Sequence, residues 1–203
     1  ECWIVMKQIL ARKVPERDVP EVLHVIRQRS AFVRGALHGT MMRNEGYDFA
    51  RVGTFLERSD NTARILDVKY YVLLPSAFQV GSSLDNVQWE TILRSVSGEG
   101  AYRWAYGQDV RPLDIAKFLV LDKRMPRSLA FCIQKIGDNL GYLKDDYQLA
   151  LPCHDMIEKT QKHIKESTIE EIFESGLHEF IQGFLHDNAQ LGRQIEIDYR
   201  FYE

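Results

Sequence analysis

At 203 residues, with 45% hydrophobic and 27% charged residues, the chain is long enough to bury a core and has the composition of a globular protein. A net charge of −3 excludes bulk electrostatic attraction to nucleic acid, and six prolines and thirteen glycines are too few for a disordered or collagen-like chain. No apolar run approaches the roughly 20 residues of a membrane span, and three widely spaced cysteines (Cys2, Cys132 and Cys153) form neither a disulfide frame nor a zinc knuckle, which predicts a cytoplasmic home.

Helical periodicity dominates and strand-like alternation is scarce. The first residues, Glu1-Cys2-Trp3-Ile4, open inside an amphipathic pattern without an initiator Met, so the sequence reads as a piece lacking an upstream helical segment. A first helix is predicted over Cys2 to Arg12, stopping near Val14-Pro15. The second runs from Pro20 to Leu37, with Val22, Ile26, Phe32 or Val33, and Leu37 pointing inward, and breaks at His38-Gly39-Thr40. Asn44 is placed to cap a long third helix that ends at Leu73-Leu74-Pro75, where proline forbids continuation. Gly81-Ser82-Ser83 is a loop, and Ser83 or Asp85 opens the fourth helix.

Ser97-Gly98-Glu99-Gly100 breaks the chain before a short aromatic helix, Tyr102 to Tyr106, which Gly107 ends. Arg111-Pro112 starts the next helix with proline in its first turn. After a break at Asp122 to Pro126, Ser128 caps a helix to Leu143, where Gly137 and Gly141, four apart, predict close helix packing. Two helices follow Pro152, over Asp155 to Glu166 and Glu170 to Tyr202. The prediction is an all-α multi-helix bundle, a single domain over 1–203 with the 44–74 helix at its centre.

That long helix is unusually polar. At about 100° per residue, Phe49, Val52, Ala63, Tyr70 and Leu74 lie within roughly 40° of Leu56 and define a core stripe. Gly53, Glu57, Asp60, Arg64 and Asp67 lie between about 20° and 100° to one side, with Asn61 just beyond. Phe55, Ile65 and Val68 put apolar bulk on the opposite side. Charges at the edge of a core are costly unless paired, so this flank predicts either an interhelical ion-pair network or a site that holds a polar ligand, peptide or metal.

The run Thr40-Met41-Met42-Arg43-Asn44-Glu45, followed by Phe55-Leu56-Glu57-Arg58-Ser59-Asp60-Asn61-Thr62-Ala63-Arg64-Ile65-Leu66-Asp67, resembles the bacterial alpha-E domain family, named for its helices and a Glu-Arg motif, here Glu57-Arg58. Gln88-Trp89, Leu93-Arg94-Ser95-Val96, Met125-Pro126-Arg127-Ser128-Leu129 and the stretch from Leu177 to Tyr202 extend the resemblance along the chain. Members are longer at the N-terminus, where a first Glu-Arg helix occurs. The resemblance implies an all-helical bacterial protein that accompanies an ATP-grasp-type ligase and transglutaminase-like peptidases in peptide synthesis or modification. It brings no established catalytic residue.

Other constellations carry less. Glu174 and His178, four apart with Glu171 one turn earlier, form at most a weak metal pattern, and no facing Glu-x-x-His repeats occur. Cys132 sits in an apolar pattern, no phosphate loop of the G-x-x-x-x-G-K type is present, and neither cofactor nor metal is expected. Trp89, Tyr102, Trp104 and Tyr106 are either core or the lining of a peptide groove. Arg127 stands beside the N-terminal amides of the helix that Ser128 caps. The candidate binding residues are therefore Arg43, Glu57, Arg58, Asp60, Asn61, Arg64 and Arg127. The function expected is an accessory or binding protein of such a peptide-modifying system, engaging a peptide or a partner enzyme. The alternatives are an amide-bond enzyme with Glu57 as general base and Arg64 as carboxylate anchor, or a purely structural helical scaffold.

Overall fold

The computed structural model describes residues 2–71 and 83–202. Among them are ten α-helices and no strand: α1 (Cys2–Leu10), α2 (Val19–Thr40), α3 (Glu45–Tyr71), α4 (Ser83–Ser95), α5 (Glu99–Tyr106), α6 (Pro112–Val120), α7 (Leu129–Tyr147), α8 (Pro152–Glu166), α9 (Ile169–Ser175) and α10 (Leu177–Asp198). No helix among the described residues is long and apolar enough to cross a membrane. The stop anticipated at Leu73-Leu74-Pro75, the stripe position Leu74, and Gly81-Ser82 lie outside the described residues.

The chain divides into two compact units, Glu1–Tyr47 and Asp48–Glu203. In the first, α2 does not break at His38-Gly39 but continues to Thr40. A glycine inside a helix costs only about 1 kcal/mol, and the last turn is held from two sides. The Thr40 hydroxyl donates to the Ala36 carbonyl at 2.7 Å, and Arg43 donates to the carbonyls of His38 (2.7 Å) and Met41 (3.0 Å). Asn44 caps α3 as expected, its Oδ1 accepting from the Tyr47 amide at 3.2 Å.

The second unit is built around α7. Leu129, Cys132, Ile133, Ile136, Leu140 and Leu143 repeat at three- and four-residue spacing, and all are buried. Ser128 starts this helix by accepting from the Phe131 amide at 3.0 Å while its own hydroxyl reaches the Asp122 carbonyl at 2.6 Å. Along α7, Gly137 is a point of close approach, because a Cβ there would collide with the Gln161 carboxamide of α8; Gly141 faces open space. Pro152 opens α8, whose Cys153 amide donates to Asp198 Oδ2 at the end of α10, 2.8 Å away. The continuous helix expected from Glu170 to Tyr202 is instead two, α9 and α10. Gly176 separates them at φ +103°, a left-handed conformation that an α-helix cannot contain and that glycine adopts at little cost.

Candidate functional site

Within the second unit, the buried residues of α3 among the described side chains are Asp48, Val52, Phe55, Ser59, Thr62, Ala63, Leu66 and Lys69. Their mean direction lies about 80° from Leu56, on the side away from the charged flank, so that flank points about 140° from the core. The helix is therefore rotated relative to the apolar stripe centred on Leu56, which is itself only half-buried. Polar partners on other helices make this rotation affordable. Ser59 Oγ lies 2.9 Å from the Leu56 carbonyl and 3.1 Å from Asn188 Oδ1, and Asn188 Nδ2 donates to that same carbonyl at 3.1 Å. Lys69 Nζ, 2% exposed, meets Asp85 at 2.5 Å and Gln88 Oε1 at 2.6 Å. Thr62 Oγ1 is buried with no hydrogen-bond partner among the described residues.

The flank itself divides. At its C-terminal end Asp67 is tied to α10, accepting from Gln182 at 2.9 Å and lying 2.6 Å from His178 Nδ1. Further back, Glu57, Asn61 and Arg64 are exposed, Gly53 faces open space, and Asp60 is half-buried. Arg64 forms a two-point pair with Asp60 along the helix, at 2.7 and 3.1 Å, and the hydrogen bond to Asp60 pushes the guanidinium above its ordinary range. Glu57 enters no ion pair among the described residues. Glu57, Asp60, Asn61 and Arg64 thus form an i, i+3, i+4, i+7 strip facing water.

Arg58 takes the opposite course from its neighbour Glu57. It leans over the Phe55 ring (5.0 Å) and donates to the Pro126 carbonyl at 3.1 Å, fastening α3 to the turn that precedes α7. Arg127, half-buried on that turn, joins Arg58 in placing positive charge near Cys132. Burial nevertheless dominates and pushes the Cys132 thiol up to about 12, so it is held protonated. Cys153 is likewise raised to about 12, by burial first and then by its hydrogen bond to Asp198. Neither thiol is an activated nucleophile. Arg43 belongs to the first unit, where it caps α2 and sits over the Tyr47 ring at 4.0 Å.

The structure brings Glu57, Asp60, Asn61 and Arg64 onto one surface and places Arg58 and Arg127 at the 126–128 turn. The aromatic residues separate: Trp89 and Tyr102 are core, Tyr106 stacks on Tyr102 at 5.2 Å, and Trp104 is 80% exposed beneath the Arg124 guanidinium. Glu174 and His178 fall on different helices because Gly176 intervenes, and no group of three or more metal-ligating side chains occurs among the described residues. Sequence reasoning passed over Ser59, Asn188, Lys69 and Asp85. The available signal was an excess of polar residues on both sides of the Leu56 direction in α3.

A family model described as a predicted alpha-helical domain with a conserved ER motif matches residues 1–199. No curated protein matches the chain, and no solved structure does.

Proposed function

The chain belongs to the Alpha-E family, and on that footing we propose that it is an accessory, non-catalytic component of a bacterial peptide-synthesising or peptide-modifying system, one that binds a partner enzyme of the ATP-grasp or transglutaminase-like kind. The observation that carries this reading is the division of labour within Glu57-Arg58. Arg58 is consumed in fastening α3 to the 126–128 turn, whereas Glu57 heads an exposed strip with Asp60, Asn61 and Arg64. Both signs of charge stand within two helical turns, which suits a complementary protein surface and gives register to the encounter. A general base is normally tuned by burial or neighbours; Glu57 sits in open water instead.

The test uses the whole chain against a purified ATP-grasp-type ligase and a transglutaminase-like protein from the same genome, with affinity measured by calorimetry. Reversing Arg64 to Glu should weaken the complex about tenfold, in line with a rim charge, and leave the melting temperature in place. Unchanged affinity in Arg64→Glu, with Glu57→Lys equally silent, overturns the reading. Turnover of a peptide by the chain alone, abolished in Glu57→Gln, would make it an enzyme.

A further inference from the structure

Between α7 and α8, at the end reached by the turn that carries Lys123, lies a pocket of about 250 Å³. Its floor is apolar, formed by Ile133 and Ile164, which are 1% and 5% exposed. The exposed Lys123, Gln134 and Lys165 and the half-buried Gln161 complete its lining. The room for Gln161 comes from Gly137, since any Cβ there would displace this side chain.

The two lysines differ from their neighbours. Lys135 pairs with Asp138 at 2.7 Å and Lys162 with Glu166 at 4.0 Å, but Lys123 and Lys165 enter no ion pair among the described residues. Gln161 is also weakly engaged, its Nε2 reaching the Ile133 carbonyl only at 3.5 Å. A chain with net charge −3 thus keeps two uncompensated ammonium groups and two amide groups around a greasy floor. That combination complements a group with an anionic end, a peptide-like middle and an aliphatic side chain.

We infer that this pocket binds the C-terminal residue of a peptide, with its α-carboxylate at Lys123 and Lys165, its amide against Gln134 or Gln161, and its aliphatic side chain on Ile133 and Ile164. The volume lies below the roughly 300–1,000 Å³ of sites for drug-sized ligands and cofactors, which suits a group the size of one terminal residue. Lysine ammoniums are point charges, suited to a carboxylate without the fork geometry that arginine imposes. The pocket shares no residue with the exposed strip of α3, so its test succeeds or fails independently of partner docking.

The probe is N-acetyl-alanyl-leucine, offered at millimolar concentration as the free acid and as the C-terminal amide, with binding followed by methyl chemical shifts of the full chain. The free acid should bind saturably, shift Ile133 and Ile164, and bind at least about tenfold more tightly than the amide, the weight of one charge-assisted hydrogen bond. Lys123→Met and Lys165→Met should each weaken the free acid about tenfold and leave the amide unaffected. Both lysines are exposed, and circular dichroism will confirm that the variants fold. Equal binding of acid and amide, shifts confined to other residues, or no saturation overturns the inference. So does equal binding of acetate alone, which would mean an unspecific anion site, or of a C-terminally amidated peptide with an internal glutamate, which would mean acidic side-chain recognition.

Discussion

Lys69 offers the sharpest measure of how α3 is held. Its side chain is 2% exposed, its ammonium lies 2.5 Å from Asp85 and 2.6 Å from Gln88 Oε1, and the Trp89 ring centroid is 5.9 Å away. Asp85→Asn keeps the shape and one acceptor oxygen but removes the countercharge, leaving a buried cation with neutral partners only. Breaking a buried pair from one side costs about 3–5 kcal/mol; since Gln88 remains, the lower figure of about 3 kcal/mol applies. For a chain of this size 1 kcal/mol corresponds to about 2–4 °C, so the melting temperature should fall by about 6–12 °C. Lys69→Met alone should cost a similar amount. The double variant removes both charges and should lie within about 1 kcal/mol of the parent, giving a coupling of several kcal/mol in the double-mutant cycle. Thermal and urea unfolding followed at 222 nm supply all four corners. Strict additivity, or an Asp85→Asn cost below about 1 kcal/mol, would show that the pair is hydrated and that the inward direction assigned to Lys69 is mistaken.

Three further outcomes follow from neighbouring contacts. Thr62→Val replaces a buried hydroxyl that has no partner among the described residues by a methyl of similar shape and should raise stability by about 1 kcal/mol, read as a higher urea midpoint with unchanged slope; destabilisation would mean that the hydroxyl has a partner. Asn188→Ala removes the bond from α10 to the Leu56 carbonyl and the contact with Ser59, and should cost about 2–3 kcal/mol in the same assay. Burial pushes the Asp122 carboxyl up, but hydrogen bonds from the Arg124 side chain and amide outweigh this and hold it below its ordinary range. Its contribution to stability is therefore full above the unfolded value of about 3.9 and fades as pH falls through the lower folded value. Asp122→Asn should flatten the melting temperature against pH below about pH 4, and an unchanged profile refutes the assignment.

The helix boundaries were legible because the residues that set them act locally. Asn44 and Ser128 satisfy amides three residues onward in their own helices, and Pro112 fixes the first turn of α6, whereas α8 opens at Pro152 itself and not at the expected Asp155. Gly176 and Gly39 mark the limit of such reasoning. Both are glycines beside apolar periodic residues, yet Gly39 stays helical because Thr40 and Arg43 secure the carbonyls around it, while Gly176 turns left-handed to redirect the chain. The alpha-E resemblance, by contrast, was carried by the motif residues themselves, from Thr40 to Asp67, and the family match spans 1–199.

The rotation of α3 was not legible, for a physical reason. Counting apolar residues gives Ser59, Thr62 and Lys69 no place in the core stripe, but the free energy of burying a polar group depends on its partner, and for Ser59 and Lys69 the partners lie on other helices, at Asn188 and Asp85. Once those contacts form, Phe55 turns inward and Leu56 is left at the rim. The same turn carries Glu57, Asn61 and Arg64 outward, away from the core edge where apolar counting places them. Charges lodged at a core edge would have been committed to holding helices together, as Asp67 is to α10. Charges on the far side of a helix whose inner face is already satisfied are not needed for folding, and substituting them should leave stability within about 0.5 kcal/mol of the parent. Retention of the fold with loss of a partner is then the signature that separates a recognition strip from a structural one.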